Sequence, residues 1–197
     1  MSGDPETLRV YAAQARDYAR LTARAGDDPA LAAFIARLPR GASVLDLGCG
    51  PGHAAAHMAA SGLRVEAVDA SPEMAALAAR HAGVTARVAD FDAIAGHDVF
   101  DGIWASFSLL HAPRAALPGH LQALRRALRP GGVFHIGMKT GTGARRDRLG
   151  RLYTYYSETE LDALLRAAGF TPATHRRGRD LGLDGRMADW VTVLCDG

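Results

Sequence analysis

Three glycines and one carboxylate are the residues whose spacing most plainly serves chemistry. The segment VLDLGCGPG, residues 44–52, runs from an apolar strand pattern straight into a turn holding Gly48, Gly50 and Gly52. Glycine there lets the chain turn tightly and lets a ligand approach closer than any Cβ permits. Asp69 ends the next strand pattern, LRVEAVD, at the separation of about 20 residues that brings an acidic side chain to a ribose diol. Together these marks point to an adenosine-containing ligand at the carboxyl ends of parallel strands. The bland alternative, loop glycines beside a helix-capping aspartate, leaves the strand before and the helix after unexplained.

The residues that are missing narrow the ligand. A G-x-G-x-x-G turn would carry its third glycine at position 53, where this chain has His53, so the tight helix packing beneath a pyrophosphate is not provided. No G-K-[ST] follows, which removes the phosphate-loop reading. A ligand without phosphate is favoured.

Other residues invite chemistry, each with a plainer reading beside it. His53 and His57 stand one helical turn apart like zinc ligands, but Ala54 replaces the glutamate of H-E-x-x-H, so no metal is expected. Cys49 sits at a helix start, where a thiol ionises more easily; with no obvious base partner it reads as a small turn residue. His111 follows the fourth strand pattern and is a candidate general base, or else a wall or cap residue. Tyr11 and Tyr18 fall on one face of a helix, either as a lid over the ligand or as ordinary buried tyrosines. Arg145, Arg146, Arg148 and Arg151 crowd near Tyr153, Tyr155 and Tyr156, either as a pocket gripping an acidic group or as a solvated charged loop.

The elements that must position these residues alternate regularly. After helical patterns over 6–24 and 29–39, strand patterns appear at 43–47, 63–69, 85–90, 100–106, 131–138 and 190–195, with helical patterns among them at 53–62, 71–83, 114–130 and 157–170. That alternation predicts an α/β, doubly wound, mostly parallel sheet covered on both faces. Ser71 before Pro72 and Ser157 with Glu160 mark helix starts; Gly83 and Gly169 mark ends. The segments ATHRRGRDLG and WVTVLC lack a helix between them, so two antiparallel strands are expected to finish the sheet. One domain over 1–197 is expected, with 1–40 as a helical cap and 139–157 as a variable substrate-side connection.

Composition excludes several classes. A net charge of +2 over 197 residues lacks the basic footprint of a nucleic-acid binder. No apolar run approaches the roughly 20 residues of a membrane helix. Two cysteines and a start without a leader pattern lead us to expect a reducing cytoplasm. Lys139 is the only lysine among many arginines, which reads as the codon bias of a GC-rich genome.

The chain resembles the class I S-adenosylmethionine-dependent methyltransferases, of the small bacterial type 11/25-like kind, from about Ser43 to Gly169 and in the strand pair beyond. VLDLGCGPG is similar to their first motif, VEAVDASPEM to the second, VADFD to the third, FDGIWASFSLLH to the fourth and LRPGGVFHIG to the approach to the fifth strand. The resemblance implies a seven-stranded sheet whose last strand is antiparallel. It also implies that Asp46, Leu47, Gly48, Cys49 and Gly50 receive the amino-acid end of S-adenosylmethionine. Asp69 would take the ribose hydroxyls, with Ala70 and Met74 beside the adenosine, and Asp90 and Phe91 would lie at the adenine. Ser106 and Phe107 would face the methionine portion, with Tyr18 above. On the acceptor side stand Tyr11, His111, Arg151 and Tyr153.

Methyl transfer to a small molecule follows as the expected activity, with S-adenosylhomocysteine as product. ASFS at 105–108 lacks the [DN]-P-P-[YFW] pattern of amino-group methylation on nucleobases, so nucleic acid is disfavoured as acceptor. The expected work is to hold the acceptor in line with the methyl carbon in a water-excluded cleft. A non-catalytic module that binds the same ligand and an NAD-dependent oxidoreductase stay open as alternatives. The protein is expected to be a monomer or homodimer.

Overall fold

The computed structural model describes residues 4–21 and 28–197. Helix α1 (Pro5–Ala13) starts on Asp4, whose carboxylate accepts from Thr7 N–H, with Pro5 in the first turn; α2 spans Ala15–Leu21. The two meet at Gln14, so the single helix expected over 6–24 is broken there, and its part beyond Leu21 lies outside the described residues. Neither glycine nor proline marks the break. It separates two sets of tertiary contacts, made by Thr7 and Tyr11 on one side and Ala19 on the other. Helix α3 (Pro29–Ala36) follows on an Asp28 cap.

Strand β1 (Ser43–Leu47), α4 (His53–Ala60), β2 (Arg64–Asp69), α5 (Pro72–Ala78) and β3 (Val84–Val88) then wind outward from the sheet centre. The chain crosses back to β4 (Phe100–Ser106), α6 (Leu117–Ala127) and β5 (Leu128–Lys139). After β6 (Ala144–Arg146), β7 (Leu152–Thr154) and α7 (Glu158–Ala167), it ends in β8 (Thr171–Leu181) and β9 (Met187–Asp196). The sheet order is β3-β2-β1-β4-β5-β9-β8, seven strands. The strands from β3 to β5 are parallel, and β9 pairs antiparallel with both β5 and β8.

Strand alternation sorts the buried side chains into two cores. Leu45, Leu47, Ile103, Ala105, Phe134 and Ile136 pack with α6 and α7. Val44, Val65, Trp104 and Val133 pack with α3 and α4 on the other face. Each fully buried large apolar side chain contributes about 1.5–3 kcal/mol relative to exposure. Winding reverses between β1 and β4, so their carboxyl ends splay apart and leave a crevice there. Among the described residues no helix is long and apolar enough to cross a membrane.

The connection 139–157 holds a ribbon, β6 with β7, that sequence periodicity did not predict. It is too short to show a pattern. Its turn is built by Asp147, whose Oδ1 accepts from the N–H groups of Leu149 and Arg151 at 2.9 and 3.0 Å.

Candidate active site

The three turn glycines all have positive φ, 70° at Gly48, 53° at Gly50 and 84° at Gly52, a conformation that disfavours any residue with a Cβ. Their surroundings differ, which refines the expectation that all three clear space for a ligand. A Cβ on Gly48 would lie 2.3 Å from Ser108 Cβ, and one on Gly52 would lie 2.7 Å from Ala78. Gly52 thus supplies the close approach of α4 to α5 that was looked for at position 53. Gly48 and Gly50 both line the crevice, but only at Gly50 would a Cβ meet no clash, its nearest neighbour being the Tyr18 ring at 3.5 Å. His53 does other work: its Nε2 meets Ala19 O at 2.7 Å, which ties α2 to α4.

Two acids stand at the neighbouring strand tips. Asp69 Oδ2 accepts from Gly50 N–H at 2.9 Å and Oδ1 from Ser71 N–H at 2.8 Å, so one carboxylate fixes both the glycine turn and the start of α5. Burial raises its pKa against the effect of those two bonds. Asp46 is buried, and its Oδ2 has no hydrogen-bond partner. Burial first, then the charge of Asp69, pushes its carboxyl up to about 7.

A raised carboxyl stabilises the fold below its unfolded pKa, and that stability is lost as pH climbs through the folded value. Ligand-free Asp46→Asn protein is therefore expected to melt about 5 °C above the wild type near pH 8, the gap closing toward about pH 4. Melting curves across that range check it; a gap that ignores pH refutes it.

Helices α1 and α2 roof the crevice. Asp4, Thr7, Leu8, Tyr11 and Tyr18 face Gly48, Gly50, Asp69, Ala70, Met74, Ala89, Asp90, Phe91, Ser106, Phe107, Ser108 and His111 across it. The roof is held from outside by Arg146, which donates to both oxygens of Asp4 at 2.8 Å, and by Leu152 N–H, which donates to Thr7 Oγ1 at 2.8 Å. Beneath it runs a chain of hydrogen bonds. Arg151 Nη1 donates to Tyr11 Oη at 3.2 Å, Tyr11 Oη lies 2.9 Å from His111 Nε2, and His111 Nδ1 lies 2.6 Å from Leu152 O. Burial pushes His111 down to about 4, so the ring is neutral near pH 7. A carbonyl only accepts, so Nδ1 carries the proton and Nε2 receives that of Tyr11.

A second cavity adjoins the first and shares Tyr11, Tyr18 and Phe107 with it. Leu110, Lys139, Arg151, Tyr153, Asp180, Ala188 and Trp190 complete its walls, together with the turn between β8 and β9. Phe107 stands at the junction with φ at 55°, a backbone region that L residues occupy only when their surroundings hold them there. Its N–H donates to Gly137 O at 3.0 Å, and its ring meets Trp190 edge to face with centroids 6.1 Å apart. Trp190 lies on Gly178, where a Cβ would come within 2.2 Å of the indole, and its Nε1 donates to Asp180 at 2.7 Å.

The fold thus brings Gly48, Gly50, Asp69, Ala70, Met74, Asp90, Phe91, Ser106, Phe107, Tyr11, Tyr18 and His111 to one cavity, and Arg151 and Tyr153 to its neighbour. It does not bring Asp46, Leu47 or Cys49 to the cavity wall. The strand pleat turns Leu47 into one core and Cys49 packs in the other, and burial pushes the Cys49 thiol far above the thiolate range.

Three of the arginines in the connection do not form one anion pocket. Arg151 is taken up by Asp147, at 2.9 and 2.6 Å, and by Tyr11, while Arg146 serves Asp4 and Glu6 and Arg145 lies over the Tyr155 ring. His111 meets the crevice with its Nε2 lone pair engaged by Tyr11, so a free general base is not what the geometry presents. Trp190 and Lys139 were missed as cavity residues. The only available signal was Lys139's standing as the sole lysine.

A reversed-winding sheet with a glycine turn at one central strand tip and an acid at the next defines an adenosine-binding α/β enzyme. A family model described as a methyltransferase domain matches residues 44–132. The 1,6-didemethyltoxoflavin N1-methyltransferase of Burkholderia thailandensis, solved with 1,6-didemethyltoxoflavin and S-adenosylhomocysteine, is 32% identical, with a TM-score of 0.70 over 95% of this chain and 89% of that one. DhpI, solved in complex with SAH, is 27% identical, with a TM-score of 0.66 over 95% and 94%. A malonyl-[acyl-carrier protein] O-methyltransferase of Enterobacter lignolyticus is 40% identical over 106 residues, 52% of this chain and 41% of that protein.

The chain belongs to the class I S-adenosylmethionine-dependent methyltransferases. It spans about half the length of the curated relatives it matches. The site is compatible with this cofactor: Asp69 on the crevice wall, and Asp46 buried behind it with an unpartnered oxygen, disfavour a second anion such as a pyrophosphate there.

Proposed function

We propose that the protein methylates a planar aromatic small molecule, using S-adenosylmethionine in the first cavity and binding the acceptor in the second. The observation that carries this reading is that the two cavities meet at Phe107, whose strained backbone presents its ring at the junction. When bound, the cofactor supplies a methyl group already activated on sulfur, so no nucleophile or metal is demanded of the protein. The methyltransferase of B. thailandensis, whose solved complex holds 1,6-didemethyltoxoflavin, supports a small-molecule acceptor.

On this reading Asp69 holds the ribose hydroxyls and Asp90 with Phe91 the adenine. Gly48 and Gly50 of the turn hold the amino-acid end, with Ser106 beside them and Asp46 buried behind. Tyr11, Tyr18 and the roof they belong to exclude water, which strengthens the polar contacts inside and keeps the reacting atoms apart from competing nucleophiles. Phe107, Trp190 and Tyr11 offer flat apolar surfaces that orient a ring at low entropic cost. The bonds from Tyr11 to Arg151 and His111 fix the roof over the junction.

The test is S-adenosylhomocysteine release by the purified protein across a panel of planar heteroaromatic N–H and O–H compounds. Turnover with at least one of them is expected. No release with any of them, from protein that binds S-adenosylhomocysteine, would sink the proposal. A companion variant probes the junction. A Cβ at Gly137 would come within 3.1 Å of Phe107 N and 3.3 Å of its ring. Gly137→Ala is therefore expected to lower kcat about tenfold or more, while cofactor affinity changes less than about twofold. Equal losses in both would refute that placement.

A further inference from the structure

Lys139 closes β5 directly opposite Trp190 in the antiparallel register, so both side chains leave the sheet on the same face, into the second cavity. Its ammonium lies 3.9 Å from the centroid of the Tyr153 ring. Arg151 also lies over that ring, with its Cζ at 5.2 Å. The two cations are not equivalent. Arg151 is neutralised by Asp147, whereas among the described residues no carboxylate lies within ion-pair distance of Lys139 Nζ. Asp180, the acid on the cavity wall, accepts from the Trp190 indole. Asp147 and Asp184 act on Lys139 only through longer-range attraction, which the positive charges of Arg151 and Arg145 oppose. Burial further disfavours the ammonium. A half-buried cation without a counter-ion, beside a flat indole, is a receptor lacking its anion.

We propose that the acceptor carries an anionic oxygen in the plane of its aromatic ring, and that Lys139 is the residue that recognises it, with Trp190 and Phe107 against the ring. This deepens the reading of the second cavity as the acceptor site and rests on it. No bond is made or broken at Lys139; it selects and orients.

The test is calorimetry on the full chain saturated with S-adenosylhomocysteine, titrated with 2-naphthoate and with its neutral isostere 2-naphthamide. The carboxylate is expected to bind about tenfold more tightly, the effect of one charge-assisted hydrogen bond in a partly buried site. Lys139→Gln should abolish that preference while leaving the amide's affinity within about twofold, and Lys139→Arg should keep most of it. S-adenosylhomocysteine affinity, unchanged in both variants, reports intact folding, because Lys139 does not line the first cavity. The proposal is overturned by equal affinity for the two probes, by binding of neither, or by a preference that survives in Lys139→Gln. Wild-type protein that fails to bind S-adenosylhomocysteine would instead overturn the cofactor reading of the first cavity.

Discussion

Asp147→Ala is expected to lower the free energy of unfolding by about 3–5 kcal/mol, the usual cost of leaving a buried charge without its partner. Arg151 and Asp147 side chains are 2% and 6% exposed, and their closest approach is 2.6 Å. The carboxylate also accepts from the backbone of Leu149 and Arg151, so its loss unmakes the turn between β6 and β7 as well. From there the effect reaches the site, because Leu152 on β7 holds both Thr7 of the roof and His111.

Denaturant unfolding of wild type and variant measures the loss. Asp147→Ala combined with Arg151→Met should regain a large part of it, since the double variant buries no unpaired charge. A loss below about 1 kcal/mol would show that water reaches the pair and that it behaves like a surface ion pair.

Asp69→Ala is expected to weaken S-adenosylhomocysteine binding about 100-fold or more. The carboxylate is proposed to receive the ribose hydroxyls. Hydrogen bonds to a charged group contribute about 1.5–3 kcal/mol each, so losing two such bonds accounts for at least two decades of affinity. The same side chain anchors Gly50 N–H and Ser71 N–H, so the glycine turn loses its tether to β2.

Folding should suffer much less than binding, because a buried carboxyl whose pKa is raised is itself costly when ionised near pH 8. Its stabilising contribution is present below the unfolded carboxylate pKa and is lost as pH rises through the folded value. Calorimetric titration beside a melting curve separates the two effects. A change in affinity under about fivefold would remove Asp69 from the ribose role.

The nearest-neighbour chemistry of this chain was open to reading from its letters. Alternating strand and helix periods, Ser71 and Ser157 as caps, the glycine turn and the acid at the next strand tip each depend on residues close in sequence. Steric rules and turn geometry act over such short separations whatever the rest of the chain does. The finishing strand pair was legible for the same reason, because no helical pattern separates 173–182 from 190–195.

Tertiary structure decided which partner each side chain meets. Gly48 proved necessary against Ser108 and Gly52 against Ala78, and no pattern near residue 50 names those neighbours. Arg151 was drawn to Asp147 and Tyr11 instead of toward a ligand. Lys139 acquired its place because β9 inserts beside β5 and sets Trp190 across from it. A charge or ring has no fixed role until packing chooses its surroundings. That choice depends on burial, and on contacts between segments far apart in the chain.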